Sequence, residues 1–385
     1  MSSNLNAIDL TRRLIEFDTI NPPGNEDACA RYLGELLAAA GFAVTYYSMG
    51  TGRTNLVAKR GSGADAARPI CFTGHLDTVP LGSAPWSVEP LGAEICGDKL
   101  YGRGSSDMKA GVASMVVAAL ANRDALDSGP GVIMVSTAGE ETGCDGARHL
   151  SQCNGALGGA GAIVVGEPTS NTPRVGHKGV LWLNARTEGV TAHGSMPELG
   201  INAVYRAARL VGKLEDFGFN VAPHATLGSP TLNVGRLEGG ININSVPDRA
   251  DIGIDIRTIP GLDHKHLREN IHLYLGQELS ELSELLNLPP VWTEPDNCWM
   301  RAALVIAAPK DGASALPAGA PYFTDASILK QAYGNAPTLV LGPGEANMAH
   351  KTDEYCLLPR IEEAVILYGA LIRDWQANAS IYDRR

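Results

Sequence analysis

The apolar positions near the start of the chain recur at the spacing of an α-helix. They fall at positions i, i+3, i+4, i+7, i+8 and i+11, which are Cys29, Tyr32, Leu33, Leu36, Leu37 and Ala40. Gly41 follows directly and is a common helix stop, so the pattern predicts an amphipathic helix that ends there. An earlier helix is predicted around Leu10 and Leu14, and the turn-forming residues from Asn21 to Gly24 separate the two.

Four short apolar runs, rich in β-branched residues, predict buried strands. They cover Pro69 to Phe72, Val132 to Ser136, Ile163 to Val165 and Thr338 to Leu341. The apolar stretch from Met108 to Ala121 is long enough for a helix. Because strands and helices alternate along this part of the chain, we expect an α/β fold with a mixed, largely parallel sheet and helices on both faces.

The middle of the chain has a different order of elements. The pattern predicts, in sequence, a strand at His177 to Arg186, a helix at Ala203 to Lys213, strands at Thr231 to Val234 and Ala250 to Arg257, and a long helix at His264 to Leu285. Such an order is expected to form a separate α+β layer. Since a strand of the first sheet follows it, we predict that residues 179–293 are inserted into a domain made of residues 1–178 and 294–385.

Residues that bind hard metal ions lie at the ends of the predicted strands and at the start of the long apolar helix. In chain order they are His75, Asp77, Asp107, Glu140, Glu141, Glu167 and His350. Open α/β sheets bind ligands beyond the carboxyl ends of their strands, so these side chains are expected to converge. Asp107 precedes the helix at Met108 to Ala121, where the helix dipole favours a carboxylate. The pattern therefore indicates a site for two divalent ions.

Each of these residues has a simpler interpretation when it is taken alone. A single histidine beside a strand is more often a hydrogen-bonded core residue than a ligand, and Glu140 with Glu141 is typical of a solvated acidic turn. The metal interpretation rests on their shared position after strand ends. Neighbouring side chains on a loop point in different directions, so Glu141 can bind metal while Glu140 stays free as a base.

Composition and charge narrow the class of protein. The 385 residues are 44% hydrophobic and 19% charged, which fits two globular domains with cores of their own. The net charge of -11, without a basic cluster, argues against a nucleic-acid partner. The first residues lack the order of a signal peptide and no apolar stretch is long enough to span a membrane, so we expect a cytoplasmic protein with no membrane partner. Seven cysteines without a C-x-x-C pair favour reduced thiols.

Several motifs together resemble one enzyme family over nearly the whole chain. They are GHLDTVP, LYGRGSSDMKAG, GEE followed by GEP, and LVLGPGEANMAHKTDEY. The chain resembles the dinuclear zinc amidohydrolases and metallopeptidases that include acetylornithine deacetylase, succinyl-diaminopimelate desuccinylase, aminoacylase and the glutamate carboxypeptidases. The last motif is most similar to the acetylornithine deacetylases. The resemblance implies a zinc-exopeptidase-like fold and the hydrolysis of an N-acyl amide bond of an amino acid.

The resemblance also implies a role for each candidate ligand. His75 and Glu167 would bind one Zn²⁺, Glu141 and His350 the other, and Asp107 would bridge both. Asp77 would orient His75, which is a usual arrangement for a metal-bound imidazole. Glu140 would be the general base that takes a proton from a metal-bridged water and then delivers it to the leaving amine. Each chain would hold two Zn²⁺ ions, with Co²⁺ or Mn²⁺ as possible replacements.

Three further residues match family positions in the inserted domain, which the resemblance identifies as a lid and dimerisation domain. His193, in GVTAHGSMPELG, matches a histidine that stabilises the reaction's anion, in many members from the partner subunit of a homodimer. Arg257 matches an arginine that binds a substrate carboxylate, and Asn244 an asparagine near the same group. Asn242 competes with Asn244, and either asparagine has a simpler interpretation as a turn cap. A surface-loop histidine is the corresponding interpretation of His193.

The substrate is left open by the sequence. A small N-acylated amino acid is expected first, a dipeptide cleaved by a carboxypeptidase or dipeptidase second, and a catalytically silent binding homologue third. Tyr322 and Phe323 stand where the desuccinylases carry small residues before an aspartate, here Asp325. These two bulky side chains argue against diaminopimelate specificity.

Overall fold

The computed structural model describes residues 5–61, 67–308 and 317–383, and the chain divides into two compact units. The larger unit extends to Gly176 and contains Trp292–Gly319 and the residues from Thr324 onward; the smaller unit contains His177–Val291 and Ala320–Phe323. The sequence predicts residues 294–385 in one domain, whereas the four residues Ala320–Phe323 lie in the smaller unit. There the backbone N–H of Lys178 donates to the Ala320 carbonyl at 3.1 Å.

The helices and strands of the described residues are as follows. The α-helices are α1 Ala7–Ile15, α2 Asp27–Ala39, α3 Ala110–Ala121, α4 Arg123–Leu126, α5 Asp145–Gln152, α6 Ala203–Glu215, α7 His264–Leu275, α8 Cys298–Ile306, α9 Ala326–Ala332 and α10 Leu358–Tyr382. The strands are β1 Ala43–Gly50, β2 Arg53–Arg60, β3 Ile70–His75, β4 Ile95–Cys96, β5 Lys99–Tyr101, β6 Val132–Thr137, β7 Ala162–Val165, β8 Arg174–His177, β9 Gly179–Glu188, β10 Thr231–Gly239, β11 Arg249–Thr258, β12 Glu281–Leu288, β13 Val291–Trp292, β14 Ala318–Ala320, β15 Thr338–Val340 and β16 Tyr355–Leu357. A π-helical turn covers Ser105–Lys109, and 3₁₀ turns cover Pro197–Leu199 and Gly276–Glu278.

The main sheet has the strand order β1-β2-β6-β3-β7-β15-β8-β13, with β14 paired to β8. The central neighbours β6, β3, β7 and β15 are parallel, while β1 and β2 run antiparallel to their neighbours and β8 runs antiparallel to β15. Every residue of β3, β6 and β7 is buried, as expected for strands covered on both faces. The predicted mixed, largely parallel α/β fold is confirmed. None of the helices in the described ranges has the length and apolar character needed to cross a membrane.

The first two predicted helices are present, and the second ends almost where its sequence indicates. Helix α2 ends at Ala39, and Gly41 has a φ of +83°, a left-handed conformation that favours glycine after a helix. Cys29, Leu33 and Leu37 of this helix are buried in the core of the larger unit. The helical spacing of apolar residues therefore identified the buried face correctly.

Two predicted element ends near the candidate ligands are wrong. Strand β3 continues to His75, which pairs with Thr137 of β6, so His75 is the last strand residue and does not lie beyond the strand. Helix α3 begins at Ala110, because Asp107 and Met108 have non-helical backbone angles. Asp107 consequently lies in a distinct turn before the helix.

The smaller unit is built from β9, α6, β10, β11, α7 and β12 around one antiparallel sheet of order β10-β11-β9-β12. This strand and helix order is that of ferredoxin-like folds. Its core combines alternate apolar residues of the strands with one face of each helix, including Leu181, Leu183, Ile252, Ile254, Leu210, Leu214, Leu267 and Ile271. The predicted long helix at His264 to Leu285 is wrong. Helix α7 ends at Leu275, Gly276 has a φ of +74°, and Glu281–Leu288 pairs with β9 as a strand.

Candidate metal centre

The ends of four strands in the larger unit carry most of the predicted ligands. His75 ends β3, Glu140 and Glu141 follow β6, Glu167 follows β7, and His350 lies in the loop after β15. Strands β6, β3, β7 and β15 are parallel neighbours, so these residues emerge at the same edge of the sheet.

Asp107 lies between the two histidines, with one carboxylate oxygen toward each. Its Oδ1 is 3.1 Å from His75 Nε2, and its Oδ2 is 3.5 Å from His350 Nε2. His75 Nε2 is also 3.8 Å from Glu167 Oε1, and His350 Nε2 is 3.1 Å from Glu141 Oε2. The five residues thus form two overlapping groups that share Asp107, and ligand atoms of His75, Asp107 and Glu141 lie within 4.8 Å of one another.

Asp77 contacts His75 and also the loop that carries both glutamates. The nearer atom to His75 Nδ1 is the Asp77 carbonyl oxygen at 2.9 Å, whereas the carboxylate is 3.6 Å away. That carboxylate accepts the backbone N–H groups of Glu140 at 3.1 Å and Glu141 at 3.2 Å. Asp77 therefore holds His75 mainly through its backbone and holds the glutamate loop through its side chain.

Asn21 is a residue of this site that the sequence interpretation missed. Its buried side-chain amide donates to Asp77 Oδ2 at 2.9 Å, so it supports the carboxylate that holds the glutamate loop. The sequence around it, Asn21-Pro22-Pro23-Gly24, indicates only a turn. A side-chain contact over 56 residues of sequence leaves no local signal.

The buried carboxylates of the site have strongly perturbed proton affinities. Burial raises the pKa values of Glu140 and Glu167 well above the usual range for glutamate, and it also raises the pKa of Glu141. For His75, burial lowers the pKa, but the hydrogen bond to Asp107 and the nearby glutamates outweigh it and raise the pKa well above its ordinary value. Hydrogen bonds to Asp107 and Glu141 raise the pKa of His350 to about 10.

The donor set fits a pair of divalent cations. Glu141 Oε1 is buried and has no hydrogen-bond partner among the described residues, which is costly for a carboxylate oxygen unless a cation satisfies it. Several carboxylates packed together repel one another, and positive charge between them removes that repulsion. Imidazole and carboxylate ligands accept Zn²⁺, Co²⁺ and Mn²⁺, so the residues do not select one metal.

The backbone beside Glu167 is held by very close packing of glycines. A Cβ atom on Gly111 would lie 2.1 Å from the carbonyl oxygen of Gly166, and a Cβ atom on Gly342 would lie 2.2 Å from the same oxygen. Gly111 belongs to α3 and Gly342 follows β15. The absence of side chains at these two positions lets helix and loop approach the segment that carries Glu167.

Cys144 and Asp325 extend the site behind Glu140. The Cys144 thiol donates to Glu140 Oε1 at 3.8 Å, and the Thr137 hydroxyl donates to Asp325 Oδ2. Burial raises the pKa of Asp325 to about 6. The sequence places Cys144 close to the glutamates, but only the structure shows the thiol directed at Glu140.

The remaining predicted residues lie in the smaller unit. His193 is exposed, its Nδ1 is 2.7 Å from Ser195 Oγ, and its backbone forms an isolated bridge with Ser245 next to Asn244. Asn242 and Asn244 are both exposed in the loop after β10. Arg257 lies on β11, where it forms an ion pair with Asp255 at 3.0 Å. The structure thus brings His193 and Asn244 onto adjacent loops.

An α/β sheet that gathers two histidines and three carboxylates around a shared aspartate at its strand ends is the framework of a metal-dependent enzyme. The chain belongs to peptidase family M20/M25/M40, whose model matches residues 71–374, and this confirms the resemblance found in the sequence. Peptidases hydrolyse amide bonds, so the protein is an amide hydrolase.

The chain is similar to proteins with different substrates. An acetylornithine deacetylase of Vibrio cholerae is 30% identical over 362 residues, which cover 89% of each protein. A probable succinyl-diaminopimelate desuccinylase of Staphylococcus epidermidis is 30% identical over 385 residues, covering 92% of this chain and 93% of that protein. An M20 family metallo-carboxypeptidase from Sulfolobus solfataricus matches with a TM-score of 0.80 at 18% identity, covering 98% of this chain and 100% of that one. At that identity the likeness shows the fold.

Proposed function

We propose that the protein is a metal-dependent deacylase that hydrolyses the N-acyl amide of an amino acid and releases a free amine and a carboxylate. The position of Asp107 between His75 and His350 carries this proposal, because a carboxylate that faces two histidines is suited to bridge two cations. The similarity to an acetylornithine deacetylase supports an acylated amino acid as the substrate.

The residues of the larger unit divide into two ligand sets in this proposal. His75 and Glu167 would hold one divalent ion, Glu141 and His350 the other, and Asp107 both. When bound, such ions polarise the scissile carbonyl and lower the pKa of water. We propose Zn²⁺ as the ion, with Co²⁺ or Mn²⁺ as alternatives.

Glu140 is proposed as the general base and acid. Its backbone N–H is held by Asp77 at 3.1 Å, and its buried side chain has a pKa raised well above that of an exposed glutamate. A raised pKa makes the carboxylate a stronger base toward water, and its protonated form can then serve as the acid for the leaving amine. Glu140 would take the proton of the attacking water and deliver it to the amine as the amide bond breaks.

The smaller unit is proposed to recognise the substrate and to form a homodimer. Exposed hydrophobic side chains surround the His193 loop and the end of edge strand β10; they are Val190, Met196, Leu199, Ile201, Tyr205, Leu237, Ile241 and Ile243, exposed by 42 to 104%. We call this set the apolar patch. An apolar patch beside an open strand edge is typical of a protein interface. A second copy of the chain would cover it, and His193 would stabilise the developing anion while Arg257 and Asn244 bind the substrate carboxylate.

A substrate panel tests the deacylase proposal. N-acetyl and N-succinyl amino acids and dipeptides are compared by kcat/KM after titration of the apoprotein with Zn²⁺. We expect turnover to require the metal and N-acyl amino acids to be preferred. Preference for dipeptides would favour the metallo-carboxypeptidase or dipeptidase alternative, which the family description supports. Metal binding without turnover of any substrate would indicate a silent binding homologue.

A further inference from the structure

We propose that Glu354 and Arg103 are positioning residues that hold the loop of Asp107 in place and thereby set the affinity for divalent metal. This inference rests on the proposed metal centre. It concerns two buried side chains that coordinate nothing themselves and that lie behind the ligands.

Glu354 is fully buried and receives four hydrogen bonds, three of them from the backbone of one loop. Its Oε1 accepts the N–H groups of Ser106 at 2.8 Å and Asp107 at 3.0 Å. Its Oε2 accepts the N–H of Gly104 at 2.9 Å and Nη1 of Arg103 at 2.6 Å. One carboxylate thus fixes the backbone from Gly104 to Asp107, the segment that presents the Asp107 side chain.

The loop needs an external acceptor because it is not a regular helix. Asp107 and Met108 have non-helical angles, and α3 begins only at Ala110. Backbone N–H groups buried outside regular structure must find other partners. Glu354 supplies them, and hydrogen bonds to an ionised acceptor are stronger than those between neutral groups.

Arg103 connects this loop to the chain segments that follow the two histidine ligands, His75 and His350. Besides Glu354, it donates from Nη1 to the Lys351 carbonyl at 3.2 Å and from Nη2 to the Pro80 carbonyl at 3.1 Å. Lys351 is the neighbour of His350, and Pro80 lies three residues after Asp77. The planar guanidinium makes these contacts at once, which a lysine ammonium does not reproduce.

The location of the pair extends its effect to both metal ions. Strand β16 begins directly after Glu354 and pairs with β5, so the chain segments before Asp107 and after His350 are joined beside the site. Asp107 is the shared residue of the two ligand groups. A displacement of its loop would therefore weaken both sites together, whereas loss of a single ligand such as His350 would weaken one.

The test compares Glu354→Gln with a matched variant, Asp383→Asn. Asp383 is also a buried carboxylate that accepts a backbone N–H, from Arg68 at 2.7 Å, and that pairs with an arginine. Arg68 precedes β3, whereas His75 ends it, so this second pair lies at the opposite end of the strand. Both substitutions remove one buried charge from an ion pair and are expected to lower the thermal stability of the apoprotein.

The two variants should differ in metal affinity. The dissociation constants for Zn²⁺ are measured by competition with a chelator on apoprotein whose folding is verified by circular dichroism. Glu354→Gln should bind about 10- to 100-fold more weakly at both sites, the range found when residues that support metal ligands are removed. Asp383→Asn should bind like the wild type. Arg103→Lys, which keeps the charge, should fall between them and serves as the test if Glu354→Gln does not fold.

Two results would overturn the inference: wild-type Zn²⁺ affinity in a folded Glu354→Gln or Arg103→Lys variant, or the same loss of affinity in Asp383→Asn. Neither result depends on the substrate. A wild-type protein that binds two Zn²⁺ ions but hydrolyses no N-acyl amide would instead refute the proposed function and leave the role of the pair intact.

Discussion

Arg257 and Asp255 form an ion pair along one face of strand β11. Arg257 Nε lies 3.0 Å from Asp255 Oδ1, and its Nε and Nη2 both donate to Oδ2 at 3.2 Å. The indole N–H of Trp182 donates to the same carboxylate at 3.0 Å, and the Phe323 ring lies 5.7 Å from the guanidinium carbon. Asp255 thus occupies the Nε side of the guanidinium. Nη1 makes no hydrogen bond within the described residues, so the edge formed by Nη1 and Nη2 is available for the substrate carboxylate of the proposed function.

This pair predicts how substrate recognition responds to substitution. Asp255→Asn keeps the size of the side chain but weakens the ion pair that holds Arg257. KM for an N-acyl amino acid should therefore rise about 10-fold with little change in kcat. This pattern is expected when the lost interaction binds the substrate and the transition state equally. Arg257→Lys should also be impaired, since it loses the planar fork.

Substrates with an amidated carboxylate provide the control for that prediction. In the wild type, amidation of the substrate carboxylate should lower kcat/KM by about the same factor as the Arg257→Lys substitution. In the Arg257→Lys variant, amidation should lower kcat/KM little further, because both changes remove the same interaction. Additive losses would show that Arg257 acts elsewhere.

Glu140 and Glu141 are expected to separate catalysis from metal binding. Glu140→Gln should keep both metals and lose kcat by roughly 10²-fold or more, since it removes the proposed proton carrier. Glu141→Gln should lose metal affinity, because Glu141 Oε2 faces His350 at 3.1 Å. Metal analysis of each purified variant beside steady-state kinetics checks the assignment. If Glu140→Gln loses metal and activity together, Glu140 is a metal ligand and this division of roles between the two glutamates is wrong.

The metal content should be about two equivalents per chain. His350→Ala should weaken one site and Asp107→Ala both, because Asp107 faces His75 as well as His350. Ligand binding to the folded state adds about 2.7 kcal/mol of stability at a free metal concentration 100 times the dissociation constant. Thermal unfolding with and without a chelator should therefore show a stabilised holoprotein. A single equivalent in the wild type, unchanged by His350→Ala, would refute the dinuclear centre.

Gly111 and Gly212 offer a matched pair of glycine-to-alanine substitutions on helices. A Cβ atom at Gly111 would meet the Gly166 carbonyl oxygen at 2.1 Å, whereas nothing lies within 4 Å of one at Gly212 in α6. Gly111→Ala should lower the free energy of unfolding by about 1 to 3 kcal/mol through overpacking. Gly212→Ala should raise it by about 0.5 to 1 kcal/mol through helix propensity. Urea denaturation measures the free energy of unfolding of both variants. Equal effects of the two substitutions would contradict the close packing of Gly111 against the Gly166 carbonyl oxygen.

The sequence predicted those parts of the larger unit whose signals are local. Strands β3, β6 and β7 are buried on both faces, so each appears as a continuous apolar run, and parallel strands place the residues after them at one edge. His75, Glu141 and their neighbours were thus predicted together. The roles of Asn21 and Glu354 were not, because the contact between Glu354 and the Asp107 backbone spans 247 residues.

The missed strand β12 illustrates a different limit. Its sequence, ELSELLNL, consists largely of leucine and glutamate, which favour a helix. Pairing with β9 determines the observed strand instead, after Gly276 turns the chain away from α7. Tertiary contacts override local helix propensity here. The pairing partner, strand β9, is distant in sequence, so no periodicity within the segment predicts the strand.

The apolar patch is expected to be the dimer interface. Ile243→Asp places a charge on a fully exposed position of the patch and should raise the monomer fraction in sedimentation experiments. Leu273→Asp is the control, since Leu273 is 76% exposed on α7 but lies outside the patch. Equal oligomeric states for the wild type and both variants would place the interface elsewhere.

His193 is expected to act on the reaction without binding metal. The residue lies on an exposed loop within the apolar patch, and removing one donor to a developing anion typically costs roughly 10² to 10³ in kcat. His193→Ala should therefore keep both metals and still dimerise while turning over slowly. If His193 serves the partner's site, mixing His193→Ala with Glu140→Gln should restore part of the activity, because one site of each heterodimer would have both residues intact. Mixing Glu140→Gln with Glu141→Gln is the control and should restore none, since each site of that heterodimer lacks one of the two glutamates. A wild type that is monomeric yet fully active at the assay concentration would exclude the exchange, and His193 would then act within its own chain or not at all.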